Sequence, residues 1–402
     1  MGEQHATIFT QLMRQLPQRQ FQRIAERYKG NNNVRSFSCW DQFLCMAFAQ
    51  LTYRESLRDI EATLRAVGVK LYHLGIRGKV SRSTLADANN NRDPQIFSDF
   101  AQVIITRARK LYCNDKFSAD LANVAYCLDA SVIELCLSLC PWAHYDHTNR
   151  GGIKLHTLLD LRGNIPTFIA ITPRKTYELA VLDTLCLEPG AFYIMDRGYF
   201  DWRRLYRITE SKAFFVIRAR EALAFRRLYS QGVVPGSGVI SDHVGKPRPG
   251  YCQRYANRPD KKYPAKIRRV RYRDAETGKR LTFLTNNFEL PARTIADLYR
   301  ARWRVELFFK WIKQHLRIKT FYGTSENAVK TQIHIAVTIY VLIAIVKKEL
   351  KLHYDLYAIL QVLSVTCLEK MPILSAFSPQ ISNYLNNDQQ IQLDLWAKTT
   401  GQ

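Results

Sequence analysis

The chain has 402 residues, 47% of them hydrophobic, enough to bury a large core divided among roughly two or three folded units. Lysine and arginine outnumber aspartate and glutamate by 59 to 35, giving a formal charge of +24. That balance favours a polyanionic partner, because each phosphate contact releases counterions. Nucleic acid fits it better than a membrane surface, since the cations run through patterned segments and form no juxtamembrane cluster.

The opening stretch "MGEQHATIFTQLMRQ" is polar and lacks the apolar core of a signal peptide. Up to about residue 115, "IFTQLMRQL", "FQRIAERY", "WDQFLCMAFAQL", "ESLRDIEATLRAV" and "QIFSDFAQVIITRARKLY" repeat apolar residues every three to four positions, which predicts an all-helical leader. Within it, "RGKVSRSTLADANNNR", Arg77 to Arg92, sets cations around a helix expected to start at Ser83. It reads equally as a helix-turn-helix-like DNA reader or as a solvated basic loop and helix.

From Asn123 the texture changes to short β-type runs: "NVAYCLDASVIEL", "IKLHTLLDLRG", "IPTFIAITP", "AFYIMDRGYF" and "AFFVIRAR". Helical "ELAVLDTLC" and "DWRRLYRITESK" flank the fourth run. The order β-β-β-α-β-α-β predicts a mixed α/β sheet in which an antiparallel meander leads into parallel crossovers. Between about 221 and 280 comes a basic, Gly/Pro-containing insertion of strands and loops, closed by the strand "RLTFLTNNF". Helix returns with "LYRARWRVELFFKWIKQHLRIK", Leu298 to Lys319, and continues to about Leu368 before a tail expected to be flexible.

The most apolar run, Ile333 to Val346, is 14 residues long, shorter than the roughly 20 of a membrane span, so it reads as a buried core helix. The nine cysteines contain no C-x-x-C pair and are odd in number, which excludes a disulfide framework or a zinc ribbon. They read as reduced core residues of a cytoplasmic protein.

Two aspartates stand where strands should be buried: Asp129 follows "VAYCL" and Asp196 follows "FYIM". A buried carboxylate is costly unless paired or metal-bound, so the two either face each other across a cation or simply cap strands and open turns. In the later helical stretch, Tyr299, Arg302, Glu306 and Lys313 fall within an arc of about 60° if the segment is one continuous helix. A solvated face would instead pair Glu306 with Arg302 or Lys310 at four-residue spacing.

That spacing, Tyr299, two residues, Arg302, three residues, Glu306, six residues, Lys313, matches the Y-R-E-K signature of DDE transposases from bacterial insertion sequences, the family numbered four. The resemblance covers nearly the whole chain, including "DRGYFD" from Asp196 to Asp201 and "LTNNFELPA" before the signature. It implies a helical N-terminal DNA-binding domain (1–115) and a ribonuclease-H-like mixed-sheet core in two parts (116–220 and 289–325). A β-rich insertion (221–288) would interrupt that core, and a helical C-terminal region with its tail (326–402) would follow.

The resemblance further implies that Asp129, Asp196 and Glu306 are catalytic and hold Mg2+, with Mn2+ able to substitute. The reaction would be cut-and-paste transposition: phosphodiester hydrolysis at the element's terminal inverted repeats, a hairpin on the transposon end, and strand transfer into target DNA. A homodimer would bridge two DNA ends, in the cytoplasm at the nucleoid. Tyr299, Arg302 and Lys313 would grip phosphates, and Trp303 would either stack on an unpaired base or pack in the core. Lys154 and His156 share a strand face and would border the DNA or face solvent. Arg197 and Tyr199 would brace the site, whereas Asp201 and Glu134 read as a helix cap and ordinary surface. A ribonuclease-H-like nuclease without strand transfer, or a repurposed DNA-binding protein without catalysis, would use parts of the same frame.

Overall fold

The structure, a computed structural model, describes residues 6–76, 78–116, 121–143, 151–219, 223, 225–247, 263–315 and 321–377. Its residues cluster into two compact units, one of Met1–Leu111 with Trp311–Gln402 and the other of Tyr112–Lys310. The expected flexible tail lies mostly outside the described residues.

In the first unit, α1 (Ile8–Arg14), α2 (Gln18–Arg27), α3 (Cys39–Leu51), α4 (Leu57–Ala66), α5 (Arg82–Asn91) and α6 (Gln95–Tyr112) confirm the helical leader. Short polar side chains start several of them by accepting a backbone N–H: Ser38 in a capping box with Asp41, Ser56, and Ser81. Ser81, not Ser83, therefore starts α5, because its Oγ meets the Thr84 amide at 3.2 Å. Late in the chain, α11 (Glu326–Glu349) and α12 (Leu356–Thr366) join this unit, with α11 packed on α3, α5 and α12. By length and composition α11 could cross a membrane, yet 94% of its apolar window is buried inside the fold, the environment of a core helix.

The second unit is built on one nine-stranded sheet in the order β3-β2-β1-β4-β5-β9-β8-β7-β6. Its first five strands are β1 (Ala125–Leu135), β2 (Gly151–Asp160), β3 (Ile165–Pro173), β4 (Phe192–Met195) and β5 (Phe214–Arg218). β1, β2 and β3 pair antiparallel, and β1, β4 and β5 pair parallel. The connections to β4 and β5 carry α7 (Glu178–Thr184) and α8 (Trp202–Glu210), which reproduces the meander and crossovers expected from the pattern. The insertion extends the same sheet through β6 (Phe225–Ser230), β7 (Val239–Pro247), β8 (Ile267–Arg273) and β9 (Arg280–Thr285).

Buried Tyr126, Leu128, Tyr193, Met195, Phe215 and Ile217 belong to the core that holds the strands together. The "TNN" turn after β9 has structural work. Asn286 accepts from the Phe215 amide at 2.9 Å and donates to the Ala213 carbonyl at 2.8 Å, tying β9's end to β5. Asn287 Oδ1 then accepts from the Leu290 amide at 2.9 Å and turns the chain towards α9 (Ala292–Arg300). The next helix, α10 (Trp303–His315), begins in this unit.

The cysteine expectation holds in part. Cys39, Cys45, Cys127, Cys140 and Cys367 are buried, but Cys113, Cys136 and Cys186 are exposed, since all three sit in loops at element ends.

Candidate active site

The parallel pairing of β1 with β4 ends at Leu128 opposite Met195, so Asp129 and Asp196 are the next residues on neighbouring strands. Such strands run about 4.8 Å apart, and the carboxyl end of a parallel sheet is where open α/β folds present functional groups. Asp129 Oδ1 accepts from the Ala130 amide at 2.8 Å, which fixes its carboxyl plane.

The Y-R-E-K residues do not share one helix. α9 ends at Arg300 and α10 starts at Trp303, with a turn between them in which the amides of Arg302, Arg304 and Val305 bond three residues back instead of four. This tighter turn re-aims the chain, so Tyr299, Arg302 and Glu306 reach the sheet from a helix end, a turn and a new helix start. The three converge on the strand aspartates nonetheless. The buried Tyr299 packs its ring on Phe283, centroids 4.6 Å apart, and donates its hydroxyl to Asp196 Oδ1 at 2.9 Å. Arg302 donates from Nη1 to Asp129 Oδ2 at 2.7 Å and from Nη2 to Glu306 Oε1.

One tyrosine and one arginine thereby link all three acids. The Glu306–Arg302 pairing expected of a solvated helix exists, but the same guanidinium also holds a strand aspartate. Asp129 is raised to about 6, chiefly by burial, against which Arg302 and the Ala130 amide act and to which Glu306 and Glu178 add. For Arg302, burial acts to lower the pKa, but Asp129, Tyr299 and Glu306 together carry it above its ordinary value.

Among the described residues, the buried Thr157 Oγ1, on the strand position facing Asp129, and the buried Tyr199 hydroxyl have no hydrogen-bond partner. Burial, then Glu178, Asp129 and Asp196, raise Tyr199. Among the described residues no group of three His, Cys, Asp or Glu side chains is already close enough to hold a metal ion. The donors themselves are hard carboxylate oxygens, with Arg302 standing between Asp129 and Glu306 where a cation would be attracted.

Of the other expected residues, Trp303 is 59% exposed and so is no core side chain; with Tyr299 and Arg302 it lines a cavity of about 130 Å³. Arg197 is exposed, while Lys313 lies on α10 two turns beyond Glu306. Lys154 and His156 are not a solvent-facing pair. Lys154 donates to the Thr176 carbonyl at 3.0 Å and pairs with Glu178 at 3.3 Å, and His156 is fully buried against Thr172. Asp201 caps α8 and Glu134 lies exposed near Arg174, as expected. In the Arg77–Arg92 stretch, Arg77 lies outside the described residues, while Arg92 supports Phe37 and Ser38 carbonyls within the helical unit.

Glu178 was not singled out as a site residue. It opens α7 and approaches so near to Gly198 that a Cβ there would lie 3.2 Å from its Oε2. In sequence it is an ordinary first-turn acid, favourable to any helix.

Two aspartates side by side where the β1–β4 ladder ends, with an arginine on one of them and on a strongly basic chain, define the class: an enzyme that acts on nucleic acid. The family described as the Transposase DDE domain matches residues 122–342, more than half of the chain, and the chain belongs to it. It is an enzyme acting on DNA, a DDE transposase of an insertion-sequence element. A domain of unknown function matches residues 4–77. A transposase of Sinorhizobium fredii is 32% identical over 265 residues, covering 65% of this chain and 70% of that relative. A protein named as a transposase for insertion sequence element IS5377 of Geobacillus stearothermophilus is 26% identical, covering 84% of each. Among solved structures, a piggyBac transposase synaptic complex with hairpin DNA matches at 11% identity with a TM-score of 0.43, over 87% of this chain and 74% of that one.

Proposed function

We propose that the chain cuts and rejoins DNA at the ends of its own insertion sequence, with Asp129, Asp196 and Glu306 as the catalytic acids. The observation that carries this reading is the tethering of Asp196 by Tyr299 and of Asp129 and Glu306 by Arg302, where the parallel ladder of β1 and β4 ends. The arrangement agrees with a ribonuclease-H-like core extended by a β-rich insertion, and 1–115 would serve as a DNA-binding domain.

The oxygen donors of Asp129, Asp196 and Glu306 suit Mg2+, with Mn2+ able to replace it. When bound, a pair of such ions would activate the attacking oxygen and neutralise charge on the leaving one. The chain's own residues supply the rest. Arg302 has one guanidinium for two carboxylates and a phosphate, so its fork is free to turn to DNA once cations neutralise Asp129 and Glu306. Tyr299 keeps Asp196 aimed into the site. Lys313 extends the grip along the DNA end, Trp303 offers an open ring for an unstacked base in a hairpin, and Arg197 adds a cation beside Asp196. Lys154, already engaged with Glu178, positions that acid and reaches DNA only if the pair opens.

The sequence of events would be hydrolysis at the terminal repeat, hairpin formation and opening, and strand transfer by a homodimer at the nucleoid. The test is incubation of the protein with DNA carrying the element's ends and Mg2+, resolving nicked, hairpin and joined products. Nicked products alone would instead favour a nuclease without strand transfer.

A further inference from the structure

The insertion holds a cluster of arginines that has no part in the site above. On β8, Arg269, Arg271 and Arg273 alternate and so share one face of the sheet. Register brings His243 of β7 opposite Arg269, Ser241 opposite Arg271, and Arg280 of β9 opposite Arg273. Arg227 of β6 joins the same face through Gly245, which pairs with both Arg227 and Ile267.

The cluster is organised. Gly245 leaves room for the Phe225 ring, which comes within 2.6 Å of where a Cβ would stand. Arg269 lies over that ring at 4.3 Å and donates from Nη2 to His243 Nδ1 at 3.2 Å, which leaves the neutral imidazole's other nitrogen as a donor. Among the described residues the buried Arg269 Nε has no partner. Among the described residues no carboxylate pairs with Arg227, Arg269, Arg271, Arg273 or Arg280. Asp242, next to His243, alternates to the opposite face, where it is committed to Arg268 at 2.7 Å, and Asp274, next to Arg273, lies 3.9 Å from Arg300.

This convergence of like charge has a cost. Burial lowers the pKa of Arg269, and Arg271 and Arg227 lower it further; burial, Arg269 and Arg227 likewise lower that of His243. Like charges directly opposite on neighbouring strands, as Arg273 and Arg280 are, also destabilise a sheet. Arginines on an edge strand can serve merely to block edge pairing, but β8 lies two strands inside the β6 edge.

We infer that the sheet face formed by Arg227, Arg269, Arg271, Arg273, Arg280 and His243 is a second DNA-binding surface, which takes the phosphate backbone of duplex DNA without reading its sequence. From Arg269 to Arg273 the row spans about 13 Å, roughly four base-pair rises at 3.4 Å, so it can follow one strand over several phosphates. Arg269, held by Phe225 and His243, gives the surface a fixed centre. The inference rests on the reading of this chain as a protein that works on DNA.

The test is the salt dependence of full-length protein binding to a random-sequence duplex. Wild type is compared with Arg227→Gln/Arg269→Gln/Arg271→Gln and with a control, Arg226→Gln/Lys246→Gln/Lys266→Gln, which removes equal charge from the insertion's other side. The slope of log K against log salt should fall in magnitude by about 2 to 3 for the cluster triple, at about 0.9 per phosphate contact, and by less than about 1 for the control. At fixed low salt the cluster triple should bind on the order of 100-fold more weakly. Should the triple misfold, the exposed single variants Arg227→Gln and Arg271→Gln should each reduce the slope by about 1. Equal effects of the two triples, or none from either, would overturn the inference while leaving the proposed function intact. A wild type that binds no DNA would overturn both.

Discussion

Arg302 holds Asp129 at 2.7 Å, although the two are 173 residues apart in sequence. The same guanidinium pairs with Glu306 four residues on, so a single side chain carries the charge balance of two acids. Arg302→Ala should leave nicking residual and lower hairpin formation by about 10² to 10³-fold, the scale of losing a preorganised charge-stabilising donor. Arg302→Lys should not restore it, because an ammonium lacks the planar fork that spans two oxygens. The readout is single-turnover cleavage on end-bearing DNA; hairpins at wild-type rate would remove Arg302 from the site.

Asp129 is kept above its ordinary pKa by burial and by neighbouring acids, so its charge costs the fold something that its function requires. Asp129→Asn is therefore expected to keep or raise the melting temperature while abolishing cleavage. A clear fall in melting temperature would mean that the Arg302 pair is mainly structural.

Tyr299→Phe keeps the ring on Phe283 and deletes only the donor to Asp196. One lost hydrogen bond of about 1.4 kcal/mol corresponds to about a tenfold slower cleavage. Tyr299→Ala, which also opens a gap beside Phe283, should cost about 3 kcal/mol or more in urea unfolding.

His156 and His334 are both buried, and burial and a nearby lysine lower each to about 4. The unfolded chain takes up these protons near pH 6.5 and the folded chain only near 4, so between those values the unfolded state binds more protons and stability falls as pH falls. Replacing His156 by Asn should flatten the decline in melting temperature between pH 7 and 5. An unchanged slope would mean that His156 is charged in the fold.

The insertion's own anchor is the buried pair of Arg268 and Asp242, whose side chains are 3% and 2% exposed. Arg268 also donates to the carbonyls of Asn287 and Leu290, which links the pair to the turn before α9. Asp242→Ala should destabilise the protein by about 3 to 5 kcal/mol by stranding the guanidinium, measured by urea unfolding. Losing less than about 1 kcal/mol would show that water reaches Arg268.

The β-β-β-α-β-α-β order was legible because strand and helix periods differ and the turns between them are polar; the extents were less so, since β2 starts earlier, at Gly151, and β4 stops at Met195 within its apolar run. The acids Asp129 and Asp196 stood out as charges following apolar runs. The break between α9 and α10 was not legible, because Ala301 and Arg302 include neither glycine nor proline. Tertiary anchoring of Tyr299 to Asp196 and of Arg302 to Asp129 accompanies that turn. That Lys154 and His156 do not face solvent was not legible, because alternation shows which residues share a face, not whether β3 and α7 cover it. Glu178 gave no signal for a similar reason: an acid opening a helix is commonplace, and only the fold brings it beside Gly198.

If Asp129, Asp196 and Glu306 act as one site, each is needed for strand cleavage and none for DNA binding. Asp129→Asn, Asp196→Asn and Glu306→Gln are each assayed with Mg2+ on DNA carrying the element's ends, alongside binding to the same DNA. Each variant is expected to bind as wild type does and to cleave at least about 10³-fold more slowly, with the double variants no worse than the singles, as for residues that act as a unit. Wild-type cleavage by any one of the three, at unchanged DNA binding, would contradict it.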